Sequence, residues 1–271
     1  MSEFLNIAQK AAWASGQILM DNFGKVSKND IRKKAATDFI SFVDESSEKK
    51  IIEIIQQSFP DHTFFAEEGG ILDNQSDYVW IIDPLDGTTN YLHSIPVFAI
   101  SIALKRKDET LIGVVYDPVQ QDTFYAEIGK GTFLNDKSVR VSQTASLKES
   151  FIATGFPFKS KQKLRDYVKV FSDIFNSCIG MRRMGAAAID LAYVASGRFD
   201  GFWEIGLAPW DIAAGRILIS EAGGTFTDFW NTSDIKDSSY VLATNSAIHQ
   251  ELGDIIREGF PFYKILSEEL K

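Results

Sequence analysis

Residues 80–90 read WIIDPLDGTTN: an apolar run delivers Asp83, Pro84 follows, Asp86 comes three residues after Asp83, and Gly87, Thr88, Thr89 and Asn90 complete the stretch. Pro84 restricts the backbone between the two carboxylates, and the residues after Asp86 have the composition of a helix start. A helix start exposes free N–H groups and a partial positive charge, while paired aspartates offer oxygen ligands to a hard divalent cation. Together they can grip a phosphate from two sides. The same residue types are common in plain turns, so this stretch alone leaves a turn open.

Further acids fall at comparable places. Glu67 and Glu68 follow the β-prone run 63–66, Glu204 ends another apolar run, and Asp211 follows Trp210 where a new helix opens. A glutamate pair is often a solvated turn and an Asp in a first helical turn is favoured by the helix dipole, so each has an ordinary explanation alone. The combination points elsewhere. His62, His93 and His249 are scattered without ligand spacing, and Cys178 is the single cysteine, expected as a small core residue. Oxygen-only ligands fit magnesium, with manganese as a substitute, and the expected chemistry is metal-assisted attack of water on phosphorus.

These acids need elements to position them. Phe4, Ile7, Ala8, Ala11, Ala12, Ile18 and Leu19 recur at helical spacing until Gly24, predicting an amphipathic first helix. Residues 39–43 read as a strand that leads through Asp44 into a helix burying Ile51, Ile52, Ile55 and Phe59. Strands are predicted over 63–66, 78–82, 97–104, 111–116 and 123–126, two of them finishing on acids, the place where open sheets usually carry chemistry. From about residue 151 strands and helices alternate, with helices over 185–196 and 209–222 and a strand over 199–203.

The chain has 271 residues, 45% of them hydrophobic and 24% charged, which matches an ordinary globular protein. Its composition shifts over 142–150, giving an expected N-terminal lobe at 1–145 with most of the metal ligands. A C-terminal lobe at 146–271 then carries Glu204 and Asp211, the two packed as one unit. A net charge of -9 disfavours nucleic acid as a partner and requires local positive charge wherever an anionic substrate binds. With no signal-like start, no apolar run long enough for a bilayer and one cysteine, the expected location is cytoplasmic.

At this point the sequence resembles the inositol monophosphatase family of lithium-sensitive, metal-dependent phosphatases, in a bacterial-type branch. The resemblance rests on FFAEEGG at 64–70, WIIDPLDGTTNYLHSIPVFAISIAL at 80–104, PWDIAAGRILISEAGG at 209–224 and GAAAIDLAYVASGRFDGFWE at 185–204. It implies an α/β (α+β) fold, a layered α-β-α-β-α sandwich. It also implies two or three Mg2+ ions, with Mn2+ as a substitute and Li+ as an inhibitor. Glu67, Asp83 and the Leu85 carbonyl match the ligands of a first ion, and Asp83, Asp86 and Asp211 those of a second, with a weaker third near Glu67. Asp44 and Thr88 match the pair that activates water, Gly87 and Thr88 the backbone amides that bind phosphate. Glu204 matches an acid that bonds polyol hydroxyls, and Gly185, Ala186 and Ala187 the small-residue turn beside it.

The implied activity is Mg-dependent hydrolysis of inositol monophosphate or a related small polyol phosphate by a homodimer. The alternatives are a nucleotide phosphatase acting on the NADP 2'-phosphate or a 3'-phosphoadenosine nucleotide, a dual-specificity enzyme, and a noncatalytic regulatory protein. The sequence departs from the animal enzymes at GFPFKSK, 155–161, and at RRM, 182–184. There Arg182 or Arg183 could meet a second phosphate, a subunit interface or a surface salt bridge.

Overall fold

The computed structural model describes residues 1–26, 31–35, 38–231 and 239–260; residues 261–271, assigned above to the second lobe, lie outside the described set. Helix α1 (Glu3–Asn22) is capped by Ser2, whose hydroxyl accepts from the Leu5 amide. The hairpin β1 (Ile31–Ala35) and β2 (Asp38–Ser41) leads into α2 (Phe42–Ser58). The strand expected to reach Val43 stops at Ser41, because Ser41 and Asp44 form a capping box that starts the helix two residues earlier. Asp44 therefore lies in the first turn of α2.

The large sheet is built from β3 (Thr63–Ala66), β4 (Gly70–Leu72), β5 (Tyr78–Asp86), β6 (Ala99–Arg106), β7 (Glu109–Asp117), β8 (Asp122–Glu127), β9 (Gly131–Leu134) and β10 (Lys137–Val139). Their order is β10-β9-β8-β7-β6-β5-β3-β4, antiparallel except for the parallel β3–β5 pair. Strand β5 runs past its expected end at Ile82 as far as Asp86, and α3 (Thr88–Leu92) begins only after it. Asp83 faces Ser101 and Asp86 faces Ala99, so three steps on β5 match two on β6. That extra residue is a bulge, and it aims the two aspartates out of the normal alternation.

The smaller sheet contains β11 (Phe151–Thr154), β12 (Gly180–Arg182), β13 (Gly201–Ile205), β14 (Thr225–Thr227) and β15 (Tyr240–Thr244), in the order β12-β11-β13-β15-β14. Helices α4 (Leu164–Phe175), α5 (Ala187–Ala195), α6 (Pro209–Glu221) and α7 (His249–Gly259) complete the chain.

Strict alternation along the strands sets the layers. Trp80 and Ile82 of β5, with Ile100, Ile102 and Leu104 of β6, face a core shared with Leu5, Leu19, Ile51 and Ile55 of α1 and α2. On the opposite face Ile81, Ala99, Ala103 and Val115 meet α5 and α6, which also pack against Ala153, Phe202, Val241 and Ala243 of the smaller sheet. That sheet's far face, with Ile152, Trp203 and Leu242, is covered by Tyr167 and Val170 of α4 and Leu252 and Ile256 of α7. The result is the α-β-α-β-α sandwich that the resemblance implies. Gly113 marks how closely α6 approaches: a Cβ there would stand 2.6 Å from Ile217.

Candidate active site

The C-terminal ends of β3, β5 and β13 and the first turns of α3, α5 and α6 converge on one cavity of about 380 Å³. Its lining includes Glu67, Asp83, Leu85, Asp86, Gly87, Thr88, Gly185, Ala186, Ala187, Glu204 and Asp211. Asp44 stands behind it, joined through Thr88. Residues spread over most of the sequence are thus brought together.

Local contacts hold each acid. Glu67 follows β3, and its amide continues the strand pairing by donating to the Ile82 carbonyl at 3.2 Å. The next turn is tied down by Glu48 of α2, which accepts from the amides of Glu68 at 2.8 Å and Gly69 at 2.7 Å. Asp83 is buried and accepts from the Leu85 amide at 3.0 Å. The Pro84 carbonyl accepts from Ser47 at 2.8 Å, fixing the bulge to α2. Asp86 accepts from the Ala188 amide at 2.6 Å, so it caps α5 from far along the chain. Asp211 accepts from the Ala208 amide at 2.7 Å. An edge-to-face contact between Phe65 and Trp210, 5.2 Å between centroids, keeps the start of α6 against β3.

Asp44 accepts from the Ser41 amide at 2.9 Å and the Ser41 hydroxyl at 2.7 Å on one oxygen. Its other oxygen lies 3.2 Å from the Thr88 hydroxyl, which also lies 2.9 Å from the Leu85 carbonyl. A hydroxyl has one proton, so Thr88 donates to one of these at a time and accepts with its lone pairs. Gly87 precedes α3 at φ +92°, where a Cβ would stand 2.9 Å from the Val97 carbonyl. Gly87→Ala is expected to destabilise the fold by roughly 1–3 kcal/mol in a denaturant titration.

The electrostatics are those of crowded acids. Burial, then the neighbouring Glu67, Asp86 and Asp211, holds the Asp83 carboxyl well above its usual range. Burial and Asp211 push Asp86 up to about 7, against the amides of Ala188 and Ala187. Burial and Asp211 push Glu204 to about 8. Burial also raises Asp44, opposed by its bonds from Ser41 and Thr88. Among the described residues no three His, Cys, Asp or Glu side chains converge tightly enough to hold an ion as they stand. The donor set still fits Mg2+ or Mn2+: it is all oxygen, and a divalent cation neutralises the charge that burial and crowding disfavour.

The histidines lie elsewhere. His62 stacks between Phe59 and Tyr78 and accepts from the Trp80 indole at 3.0 Å, while His249 sits between the hydroxyls of Thr227 and Thr244. Cys178 packs at the edge of the core between the smaller sheet, α4 and α7, and burial pushes its thiol up, the wrong direction for a nucleophile. Three residues carry more than their sequence positions suggested. Lys159 and Arg183 line the cavity, inside the two segments noted above as departures. Asp190 is buried in α5, its Oδ1 without a hydrogen-bond partner among the described residues, and burial with nearby Glu204 and Asp86 raises it. The one clue to it was an acid inside the apolar run AAAIDLAYVA.

Known proteins share this whole arrangement of chain. The chain is 43% identical over 249 residues to Nus factor SuhB of Escherichia coli strain K12, covering 92% of this chain and 93% of that one. It is 41% identical over 249 residues, with the same coverages, to the fructose-1,6-bisphosphatase/inositol-1-monophosphatase of Aquifex aeolicus. The crystal structure of extragenic suppressor protein suhB from Bartonella henselae superposes with a TM-score of 0.92 at 39% identity, covering 95% of this chain and 100% of that one. The profile of the inositol monophosphatase family matches residues 1–259. That match runs from α1 to the end of α7 and contains every acid of the cavity, so the chain belongs to the inositol monophosphatase family.

Proposed function

We propose that the chain is a Mg-dependent phosphomonoesterase that hydrolyses inositol monophosphate or a related small polyol phosphate. The observation that carries this is the single cavity holding Glu67, Asp83, Asp86 and Asp211 together with Thr88 and Glu204. Glu67, Asp83, Asp86, Asp211 and the Leu85 carbonyl are the groups to hold magnesium, which supplies charge neutralisation for the phosphate and for the leaving oxygen. Asp44 takes the Thr88 proton in a hydrogen bond, leaving the Thr88 oxygen to accept from an attacking water and orient it. Gly87 and Thr88 offer backbone amides to the phosphate oxygens, since the first N–H groups of a helix have no partner within it. Glu204, with the turn Gly185, Ala186 and Ala187, receives the hydroxyl-bearing leaving group.

Phosphate release measured across inositol 1-phosphate, fructose 1,6-bisphosphate, NADP and 3'-phosphoadenosine nucleotides, with and without Mg2+, tests the reading; silence on all of them would sink it. Glu204→Ala is expected to raise KM for the polyol phosphate roughly tenfold while changing kcat less, because the lost bond serves binding. The name Nus factor carried by the Escherichia coli relative favours a second reading, a protein that acts through partners. Magnesium-dependent turnover separates the two, as a purely regulatory protein needs none.

A further inference from the structure

A second cavity, of about 330 Å³, opens on the α1 side of the large sheet, against β7, β8 and the turn between β9 and β10. It shares no lining residue with the acidic cavity, and β6 stands between β7 and β5. Gln9, Trp13 and Gly16 fall at helical spacing on one face of α1. Gly16 leaves the room that Tyr116 of β7 takes, since a Cβ on it would stand 2.5 Å from the Tyr116 ring. Thr123 of β8 ties the walls together. Its hydroxyl accepts from the Trp13 indole at 3.0 Å, its amide donates to Asn135 Oδ1 at 2.9 Å, and its carbonyl accepts from the Asn135 amide at 3.0 Å. Asp136 in the same turn accepts from the Tyr125 hydroxyl at 2.8 Å.

The walls are thus fixed, yet several polar groups on them are unused. Gln9 is only 5% exposed and lines the cavity, but among the described residues its side-chain amide has no hydrogen-bond partner. The same holds for the Tyr116 hydroxyl and the Gln121 amide. A buried amide without a partner is costly, and a ligand able to pair with it recovers that cost. Trp13 is 47% exposed, while its bond to Thr123 holds the indole in one orientation. Asp136 is the only charged residue among those lining the cavity, so nothing there favours an anion.

We propose that this cavity is a second binding site, built for a neutral polyhydroxylated ring, a sugar or a cyclitol. A hydroxyl both donates and accepts, so it can meet the amide N–H and carbonyl of Gln9 and Gln121, the Tyr116 hydroxyl and the Asp136 carboxylate alike. The C–H face of such a ring packs on a rigid indole, which offers apolar area at little conformational cost. The volume lies within the usual range for small-molecule sites, roughly 300–1,000 Å³. The inference stands apart from the phosphatase reading, because no residue of the acidic cavity takes part.

The test titrates the full chain with methyl α-glucopyranoside, with myo-inositol and with adenosine as a flat-ring comparator, read by ligand-observed NMR and calorimetry. Wild type is compared with Trp13→Ala, Gln9→Leu and Glu204→Ala. Trp13 is half exposed, so its loss should spare the core, and leucine keeps most of the volume of Gln9. Saturable binding of the glucoside or the cyclitol is expected, and the tighter of the two identifies the ring. Trp13→Ala should weaken it roughly tenfold or more, and Gln9→Leu roughly threefold to tenfold, the loss of one hydrogen bond. Glu204→Ala should leave it unchanged, which separates this cavity from the acidic one. Absence of saturable binding by both polyols, binding of adenosine alone, or polyol binding that survives both Trp13→Ala and Gln9→Leu overturns the proposal. Polyol binding lost only in Glu204→Ala overturns it as well and assigns the ring to the acidic cavity.

Discussion

Asp83→Asn should lower phosphate release on the order of a thousandfold, as removal of a single essential charged group does in other active sites. Asp83 is the most enclosed acid of the cavity, and its charge is felt together with those of Glu67, Asp86 and Asp211. Asparagine has nearly the same shape, and its carbonyl oxygen can keep the 3.0 Å bond from the Leu85 amide that shapes the bulge. The fold should therefore survive. Removing one of several buried like charges should even raise the melting temperature of the metal-free chain. A variant that melts no lower than wild type but has lost turnover and Mg2+ binding places the defect in cation binding. Turnover within tenfold of wild type would remove Asp83 from the metal site.

Much of this arrangement was legible in the sequence because it obeys local rules. The apolar runs at 78–82 and 97–104 predicted the strands that are β5 and β6, and Asp83, Asp86 and Asp211 sat beside proline, glycine and helix-start residues that mark element ends. Less visible were features that depend on another part of the chain. The extension of β5 to Asp86 exists because β6 supplies the facing rungs, and no property of residues 83–86 alone shows that bulge. Asp86 doubles as the cap of α5, whose own N-cap, Ala186, offers no side chain for the task. Lys159 drew no reading of its own and Arg183 stayed open between a second phosphate, a subunit interface and a surface salt bridge, since nothing in either segment shows that both line the same cavity. Helix and strand periodicity report which face is apolar; they do not report which loops meet.

The metal-free chain should lose stability as pH rises from about 6.5 to 8, the reverse of the usual behaviour for carboxylates. Asp86 is pushed up to about 7 and Glu204 to about 8, and burial raises Asp44, Asp83 and Asp190 as well. An acid whose pKa is higher in the folded chain than in the unfolded one binds more protons when folded. Its contribution is then greatest at low pH and declines as pH rises toward the folded value. His249, lowered to about 4 by burial and Arg257, works in the opposite sense, but only below about 6.5, where the unfolded histidine takes up a proton. Above that point the acids act alone. In EDTA the melting temperature should fall on the order of 5 °C across this window, about 1.4 kcal/mol per group for each pKa unit crossed being enough for such a shift. Millimolar Mg2+ should flatten the slope and raise the melting temperature most at pH 8, because the cation competes with protons for the same oxygens. Asp190→Asn should remove part of the slope without touching the cation site. A melting temperature that is flat or rises with pH in EDTA would mean that the acids are already compensated in the folded chain. The case for a cation at this end of the cavity would then lose its electrostatic basis.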